Sequence, residues 1–339
     1  MTGLRLGYIL PIRSGSTAGD DELTGYLSAL SGWLPVIVVD GSDPEIFAER
    51  AARWREVVRH VAPDPRWSFA NGKVNGVLTG LGFAEAQAVV VADDDVRYDR
   101  TGLVRMSELL ADVDAVVPQN YFAPAPWHAQ WDSARSCLNR LTPHGDFPGT
   151  IGLRRAAWMV ESGYDGDVLF ENLELLRTVQ AHGGRVHIAR DVFVRRLPPT
   201  TRHFLGQRVR QAYDSQAQPL RLAMELAVLP LLVVAATRRP RALPVAAAAV
   251  MAGAEAGRRR SGGRTVLPAA ATGLAPLWVL ERAVCSWVAL ALRLAFGGVQ
   301  YSGRRIRVAA HSVRWLRAHR ADVRPSADQP ACASRRRTA

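Results

Sequence analysis

The stretch VVVADDDVRYD, residues 89–99, joins an apolar run to three consecutive carboxylates. Residues 89–92 predict a buried β-strand, and Asp93, Asp94 and Asp95 follow it directly. Residues that follow a strand of an α/β sheet reach the crevice in which ligands bind. Because side chains i and i+2 of an extended chain point the same way, Asp93 and Asp95 could share one hard cation such as Mg²⁺ or Mn²⁺. The alternative interpretation is an acidic turn that binds no metal.

Two apolar segments upstream end in polar residues in the same way. Residues 4–10 lead to Pro11 and Arg13, and residues 34–39 lead to Asp40-Gly41-Ser42. Predicted helices separate the three strands, at residues 21–31, 44–61 and 72–82. Strands that alternate with helices predict an α/β fold with a mostly parallel sheet covered on both faces. The polar residues should then lie along one edge of that sheet.

Composition restricts the class of protein. The chain has 339 residues and a formal net charge of +12, and Lys73 is its only lysine. This charge permits a basic membrane-surface or nucleic-acid-binding protein without catalysis, but no nucleic-acid module is recognisable, so no nucleic-acid partner is expected. Cys137, Cys285 and Cys332 are odd in number and form no CxxC pair, which argues against a zinc site or a disulfide framework.

The composition changes near residue 219, after which the chain is apolar, alanine-rich and interrupted by arginines. Its apolar segments are residues 220–237, 242–257 and 265–299. A spanning helix needs about 20 apolar residues, so the first two are marginal and the third could form a hairpin of two short crossings. A helical core domain is the alternative. The arginine clusters beside each segment favour association with a membrane.

These features divide the chain into three parts. Residues 1–218 form a predicted cytosolic domain, residues 219–299 associate with the membrane, and residues 300–339 form a basic cytosolic tail. The N-terminus lacks the long apolar core of a signal peptide. In one arrangement, residues 220–257 lie at the membrane–water interface and residues 265–299 cross the membrane as a hairpin. In the other, the region crosses the membrane as four short spans. Both arrangements predict a multi-pass plasma-membrane protein whose first domain is cytosolic.

A second group of carboxylates lies in residues 148–186. A strand is predicted at 149–155, a short helix at 156–162, and a stronger helix at 170–181 that ends before Gly183-Gly184. Glu171 lies in the first turn of the stronger helix and Glu174 one turn later. First-turn carboxylates commonly stabilise the helix dipole. One that faces a substrate hydroxyl could instead act as a general base.

The segment QRVRQAY, residues 207–213, places Gln207 and Arg210 three residues apart. On a helix they would share a face. An arginine there could bind a diphosphate with two parallel hydrogen bonds. A basic segment next to a membrane is the alternative interpretation.

Over roughly residues 4–215, the order of these motifs resembles the membrane-associated family 2 glycosyltransferases, particularly the ceramide-glucosyltransferase-like group. The segments that carry the resemblance are PIR at 11–13, Asp40-Gly41-Ser42, Asn71-Gly72-Lys73, Asp93-Asp94-Asp95, residues 118–140, residues 149–155, FENLEL at 170–175 and QRVRQ at 207–211. In that family, PIR corresponds to the donor loop, Asp40-Gly41-Ser42 to the nucleotide-binding carboxylate and Asn71-Gly72-Lys73 to the GK segment. Asp93-Asp94-Asp95 corresponds to the DxD metal motif, residues 118–140 to the segment that follows it, and residues 149–155 to the acceptor-side strand. FENLEL corresponds to the ED pair, and QRVRQ corresponds to Q-x-x-R-W.

The resemblance implies a GT-A-like fold, a mostly parallel nucleotide-sugar-binding sheet flanked by helices and followed by C-terminal membrane helices. It implies inverting transfer of a hexose from a nucleotide-sugar donor to a hydroxyl of a lipid-linked or amphipathic acceptor at a membrane. The cofactor would be a divalent metal, Mg²⁺ or Mn²⁺, bound by Asp93 and Asp95. The implied donor-binding residues are Pro11, Arg13, Asp40, Lys73, Asp93, Gln207 and Arg210.

Two residues depart from the family pattern. Asn172 stands where the base aspartate is usual, and an amide cannot accept the proton; Gln211 replaces the usual tryptophan. The resemblance accommodates Glu171 as a shifted catalytic base. Asp165, Asp167 and Glu174 remain candidates, and an inactive or altered enzyme is an alternative. A nucleotidyltransferase is a further alternative, although GSTAG at 15–19 lacks the lysine expected after its nucleotide loop.

Overall fold

The computed structural model describes residues 4–319, except residues 144 and 302, and describes only the backbone of Ala157. Its main sheet contains β1 (Leu6–Ile12), β2 (Val36–Asp40), β3 (Arg59–Val61), β4 (Ala88–Ala92), β5 (Val96–Arg97), β6 (Ala115–Phe122), β7 (Thr150–Arg154) and β8 (Val186–Arg196). The strand order is β3-β2-β1-β4-β7-β6-β8-β5. Four of the seven neighbouring pairs are parallel, which confirms the predicted mostly parallel α/β sheet. The polar residues after β1, β2 and β4 therefore meet at one edge.

Helices cover both faces of this sheet. They are α1 (Asp20–Ser31), α2 (Pro44–Trp54), α3 (Gly72–Phe83), α4 (Arg100–Asp112), α5 (Trp127–Asn139), α6 (Ala157–Glu161), α7 (Glu171–Ala181) and α8 (Thr201–Tyr213). Alternate residues of the central strands enter two separate cores, as the two-residue period of a strand requires. Tyr8 and Val90 pack with α1 and α4, whereas Ile9 and Val91 pack with α3 and α7. The sheet is thus buried on both faces.

The helix predicted at residues 44–61 is shorter than expected. It ends at Trp54, and residues 59–61 form the edge strand β3 beside β2. The amides of Val57 and Val58 both donate to the carbonyl oxygen of Trp54, which closes the helix with a turn. The β-branched pair then leads into extended backbone, where such side chains pack well.

The predicted hairpin at residues 265–299 is wrong. After α9 (Pro219–Arg238) and α10 (Ala242–Arg259), the structure has one continuous helix, α11 (Ala270–Phe296), of 27 residues. A buried stripe recurs every three or four residues along α11, and the helix packs on α5 and α8. The stripe comprises Ala271, Ala275, Trp278, Arg282, Ser286 and Ala289.

Membrane-crossing potential is confined to one helix of the described chain. In residues 4–319 without 144 and 302, only α9 is long and apolar enough to cross a membrane, and 6% of its most apolar window is buried. The several membrane helices expected from the sequence are therefore not found in this region.

The chain after residue 299 returns to the α/β domain. It forms the hairpin β9 (Val299–Tyr301) and β10 (Arg304–Ile306), and then α12 (Val313–Ala318). The amides of Leu169 and Phe170 donate to Val308 and Ala309 carbonyls at 3.0 and 2.8 Å. Val308, Ala309 and α12, all assigned to a tail from the sequence, are thus packed against α7 or the residues just before it. Residues 320–339 of that predicted tail, with Cys332, lie outside the described residues.

Candidate active site

A polar cavity of about 770 Å³ opens at the carboxyl ends of β1, β2 and β4. This is a volume typical of small-ligand sites. One wall comes from the sheet edge, and the opposite wall comes from α7, α8, the start of α9, α11 and β9. The residues predicted from the sequence that line it are Pro11, Arg13, Lys73, Asp93, Asp95, Glu171, Gln207 and Arg210. The fold therefore brings these predicted residues together from positions up to 199 apart in the chain, from Pro11 to Arg210.

The carboxylates after β4 converge on two cations. Asp93 and Asp95 both face Arg196 of β8, at 3.3 and 2.8 Å, while Asp94 is exposed. The second oxygen of Asp93 lies 2.6 Å from Nζ of Lys73. Burial opposes both cationic charges, but the neighbouring carboxylates raise the pKa of Lys73 and of Arg196 above their ordinary values. The predicted i, i+2 geometry is present, and Arg196 is the partner that the sequence did not reveal.

These residues fit a hard divalent cation by the chemistry of their donors. The Oδ1 atom of Asp95 is buried and has no hydrogen-bond partner among the described residues. A Cβ at residue 149 would overlap the Asp93 carboxylate, so Gly149 leaves that carboxylate its space. Carboxylate oxygens are the preferred ligands of Mg²⁺ and Mn²⁺. Arg196 now neutralises the same two carboxylates, so a cation would compete with its guanidinium.

The assignment of Asp40 to donor binding is not supported by its position. Its carboxylate is fully buried and does not line the cavity. It accepts hydrogen bonds from Arg50 at 3.3 Å, His60 at 3.2 Å and the Ser42 amide at 2.9 Å. Burial alone would raise the pKa of Asp40, but these bonds lower it to about 2. Asp40 instead holds the loop that brings Gly41 to the cavity wall.

Only one of the four candidate bases lies on the cavity wall. Glu174 is fully buried, accepts a hydrogen bond from the His311 amide at 2.7 Å and contacts His311 Nδ1 at 2.9 Å, and does not line the cavity as a base for the acceptor would. Asp167 accepts from the Ala70 amide at 2.7 Å, and Asp165 accepts from the Asp167 amide. Neither of these two lines the cavity.

Glu171 does line the cavity, but it is not free. Its Oε1 atom lies 2.9 Å from Nζ of Lys73, which also donates to Asn172 at 3.3 Å. One oxygen of the only candidate base on the wall is therefore already engaged in an ion pair. Lys73 therefore links the Asp93 carboxylate to the start of α7.

One side of α8 in the QRVRQ segment faces the cavity, and the other faces the protein interior. Gln207 bonds His203 on the cavity side, and the guanidinium of Arg210 lies 5.2 Å from the ring centre of Tyr301. Arg208 faces the interior and binds Asp132 at 2.8 Å and Glu281 of α11 at 2.6 Å. Tyr301 belongs to β9, in the segment assigned to a tail from the sequence, so it was not expected at the site.

Similarity to proteins of known structure is found at the level of the fold. No family model and no curated protein sequence matches the chain. The mannosyltransferase PcManGT from Pyrobaculum calidifontis, solved with GDP-Man and Mn²⁺, is 20% identical, with 87% of this chain and 88% of that chain covered and a TM-score of 0.52.

Two further solved structures match with lower scores. Mannosyl-3-phosphoglycerate synthase from Rubrobacter xylanophilus is 15% identical over 64% of this chain and 74% of that chain, with a TM-score of 0.44. Glucosyl-3-phosphoglycerate synthase from M. tuberculosis is 15% identical over 60% and 76%, with a TM-score of 0.39. The chain thus has the GT-A glycosyltransferase fold, as its likeness to the Pyrobaculum mannosyltransferase shows.

Proposed function

We propose that this protein is an inverting glycosyltransferase that moves a hexose from a nucleotide-sugar donor to an oxygen of an acceptor. The observation that carries the proposal is the convergence of Asp93 and Asp95 with Lys73 and Arg210 in one cavity at the strand ends. Carboxylates for a cation and cations for a diphosphate are what such a donor requires. The fold shared with a mannosyltransferase that binds GDP-Man and Mn²⁺ supports the assignment.

The cavity residues have separable roles in this reaction. Lys73, Arg210 and the Gln207 amide would stabilise the negative charge that grows on the leaving nucleoside diphosphate. Asp93 and Asp95 would hold the divalent ion, which supplies further neutralisation of that diphosphate when bound. Attack on the opposite side of the anomeric carbon displaces the diphosphate in one step and inverts the centre. A hydroxyl acceptor would need a base, and of the two α7 carboxylates, Glu171 and Glu174, Glu171 lines the cavity wall.

A donor screen tests the proposal. Full-length protein in detergent should release nucleoside diphosphate from one of a panel of nucleotide sugars, with Mn²⁺ and an extract of lipids as acceptor source. Omission of the metal should reduce that release by at least tenfold. Absence of both donor binding and diphosphate release across the panel would overturn the assignment. Release of pyrophosphate from a nucleoside triphosphate would favour the nucleotidyltransferase alternative.

We further propose that α9 and α11 attach the enzyme to the cytosolic face of the plasma membrane. Their outer sides expose large apolar residues, including Leu220, Leu231 and Leu294 at 76%, 64% and 78% exposure. Isolated apolar side chains are normal on surfaces, but contiguous ones mark an interaction site. Arginines at 238, 239 and 241 border this surface and complement anionic lipid headgroups.

Vesicle flotation tests the membrane proposal. We expect the protein to float with vesicles that contain anionic lipid, and the double variant Leu231→Asp/Val234→Asp to stay largely in the soluble fraction, because two charges then face the acyl region. The matched control is Val104→Asp, another exposed valine that lies on α4. Flotation that is equal for the double variant and the control would contradict the proposed surface.

A further inference from the structure

Arg282 of α11 is a buried cation that lies 5.3 Å from the ring centre of Trp278 and leaves two guanidinium nitrogens without a hydrogen bond to any described residue. The residue is 2% exposed and lines the cavity. Its Nε and Nη1 atoms are buried and find no hydrogen-bond partner among the residues that the structure describes. An unpaired buried charge is strongly unfavourable, so a guanidinium in this state calls for an explanation.

The carboxylates near Arg282, Glu225 and Glu281, bind groups other than Arg282. Glu225 binds Arg221 at 3.0 Å through one oxygen and Ser286 at 2.7 Å through the other. Glu281 binds Arg208 through Oε2, and its buried Oε1 makes no hydrogen bond with any described residue. Arg282 is therefore close to negative charge but is not paired by it.

Asp214 does little to neutralise this part of the cavity. Its Oδ1 atom is buried without a partner among the described residues. Burial, and next the Glu171 carboxylate, raise the pKa of Asp214 to about 7. Near neutral pH a large fraction of this carboxyl group carries a proton and can donate a hydrogen bond. Because Arg221 is paired with Glu225, Arg210 and Arg282 are the cations near Asp214 that make no ion pair with a described carboxylate.

Arg221 and Arg282 lie on different elements from the sheet-edge residues assigned to the donor, whereas Arg210 of α8 is itself one of the donor residues. Lys73, Asp93 and Asp95 come from the sheet edge and α3, whereas Arg221 and Arg282 come from α9 and α11. The same two helices expose apolar side chains on their outer sides. A second anion bound here would therefore reach the cavity from the apolar helices.

We infer that the acceptor is an amphipathic phosphomonoester, that Arg282 and Arg221 bind its phosphate, and that a phosphate oxygen is the nucleophile. The inference rests on the proposed glycosyl transfer. Guanidinium groups bind phosphate through paired hydrogen bonds, which would use the idle donors of Arg282. A phosphate oxygen is already deprotonated near neutral pH, because the second pKa of a phosphomonoester is about 6.

A phosphate nucleophile accounts for the chemistry at α7. The oxygen forms a bond to the anomeric carbon as the bond from that carbon to the donor diphosphate breaks, and the electron pair leaves with the diphosphate. The products are a sugar phosphodiester and a nucleoside diphosphate, and no proton is released above the second phosphate pKa. The reaction needs no base, so an amide at Asn172 and a Glu171 held by Lys73 are compatible with turnover.

Direct binding is the first test. Full-length protein in a nonionic detergent is titrated with dodecyl phosphate and, separately, with dodecanol and glycerol phosphate. We expect dodecyl phosphate to bind and Arg282→Gln to weaken that binding at least tenfold, with partial recovery in Arg282→Lys. Donor binding should be unchanged in Arg282→Gln, and the control Arg100→Gln, an exposed arginine of α4, should behave as wild type. Equal binding of dodecyl phosphate by wild type and Arg282→Gln overturns the inference.

Thermal unfolding distinguishes a binding role from a structural one. Because Arg282→Gln removes an unpaired buried charge, the Tm of this variant should equal or exceed that of the wild type. A large fall in Tm would show that Arg282 has a structural role and would count against the inference. Glycerol phosphate binding as tightly as dodecyl phosphate would indicate a soluble acceptor and contradict the amphipathic part.

Proton release at pH 8 is the second test. Transfer to a phosphate should release no proton per turnover, and transfer to a hydroxyl should release one. Turnover with dodecanol and one proton released would overturn the inference while the proposed glycosyl transfer stands.

Discussion

Asp95→Asn is expected to reduce sugar transfer by about 10³-fold or more, and to remove the dependence of donor binding on Mn²⁺. The substitution keeps the size of the side chain but replaces a hard anionic ligand with a neutral amide. The Oδ1 atom of Asp95 is buried and has no hydrogen-bond partner among the described residues, so it is available to a cation. The substitution therefore removes a charged ligand at that position. The measurement is kcat/KM for diphosphate release over a Mn²⁺ titration.

Asp94→Asn is the matched control for this variant. Asp94 belongs to the same carboxylate run but is exposed and makes no ion pair with Arg196. It should retain transfer within a few-fold of wild type. The metal assignment fails if Asp95→Asn keeps its Mn²⁺-dependent activity, or if the two variants lose activity equally while both remain folded.

Deletion of residues 219–339 should abolish the folded protein, although the sequence alone suggests that residues 1–218 form an independent soluble domain. The deletion leaves Arg208 without Glu281 and the buried Glu174 without His311. Removal of one partner of a buried pair costs about 3–5 kcal/mol, and total stabilities are about 5–15 kcal/mol. Two such losses are comparable to the whole free energy of unfolding, and the apolar core around Ala289 and Ile306 is lost as well.

Circular dichroism during heating measures the outcome. The deletion protein should show no cooperative unfolding transition, whereas a shorter deletion of residues 320–339, which removes none of the contacts described here, should unfold as the full chain does. A cooperative transition and normal donor binding in the 1–218 protein would show that the C-terminal helices are dispensable.

The central strands and their carboxylates could be predicted because local pattern decides them. Residues 88–92 are continuously apolar and buried on both faces, and a charged run follows at once. By contrast, β6 contains Pro118 and polar residues, and β8 alternates apolar with charged residues that form ion pairs. Their strand identity depends on pairing with each other over about 70 positions, which no local pattern reports.

Two predicted site residues, Asp40 and Glu174, lie away from the cavity wall for the same physical reason. Asp40 and Glu174 looked available because their partners, Arg50, His60 and His311, are distant in sequence or lie in a segment that resembled a tail. Arg282 was hidden for the opposite reason, since an arginine in an apolar stretch suggests a membrane boundary. Local sequence gives the residue types that are present, but only the tertiary pairing determines which charges remain free.

The two sides of α11 have a consequence for how turnover would be controlled. One side carries Arg282 into the cavity, and the other carries apolar residues such as Leu277 and Leu280 outward. Encounter with an amphipathic acceptor would then take place by lateral diffusion in two dimensions. The rate should follow the mole fraction of acceptor in the lipid, so that dilution with inert lipid at constant bulk concentration slows the enzyme.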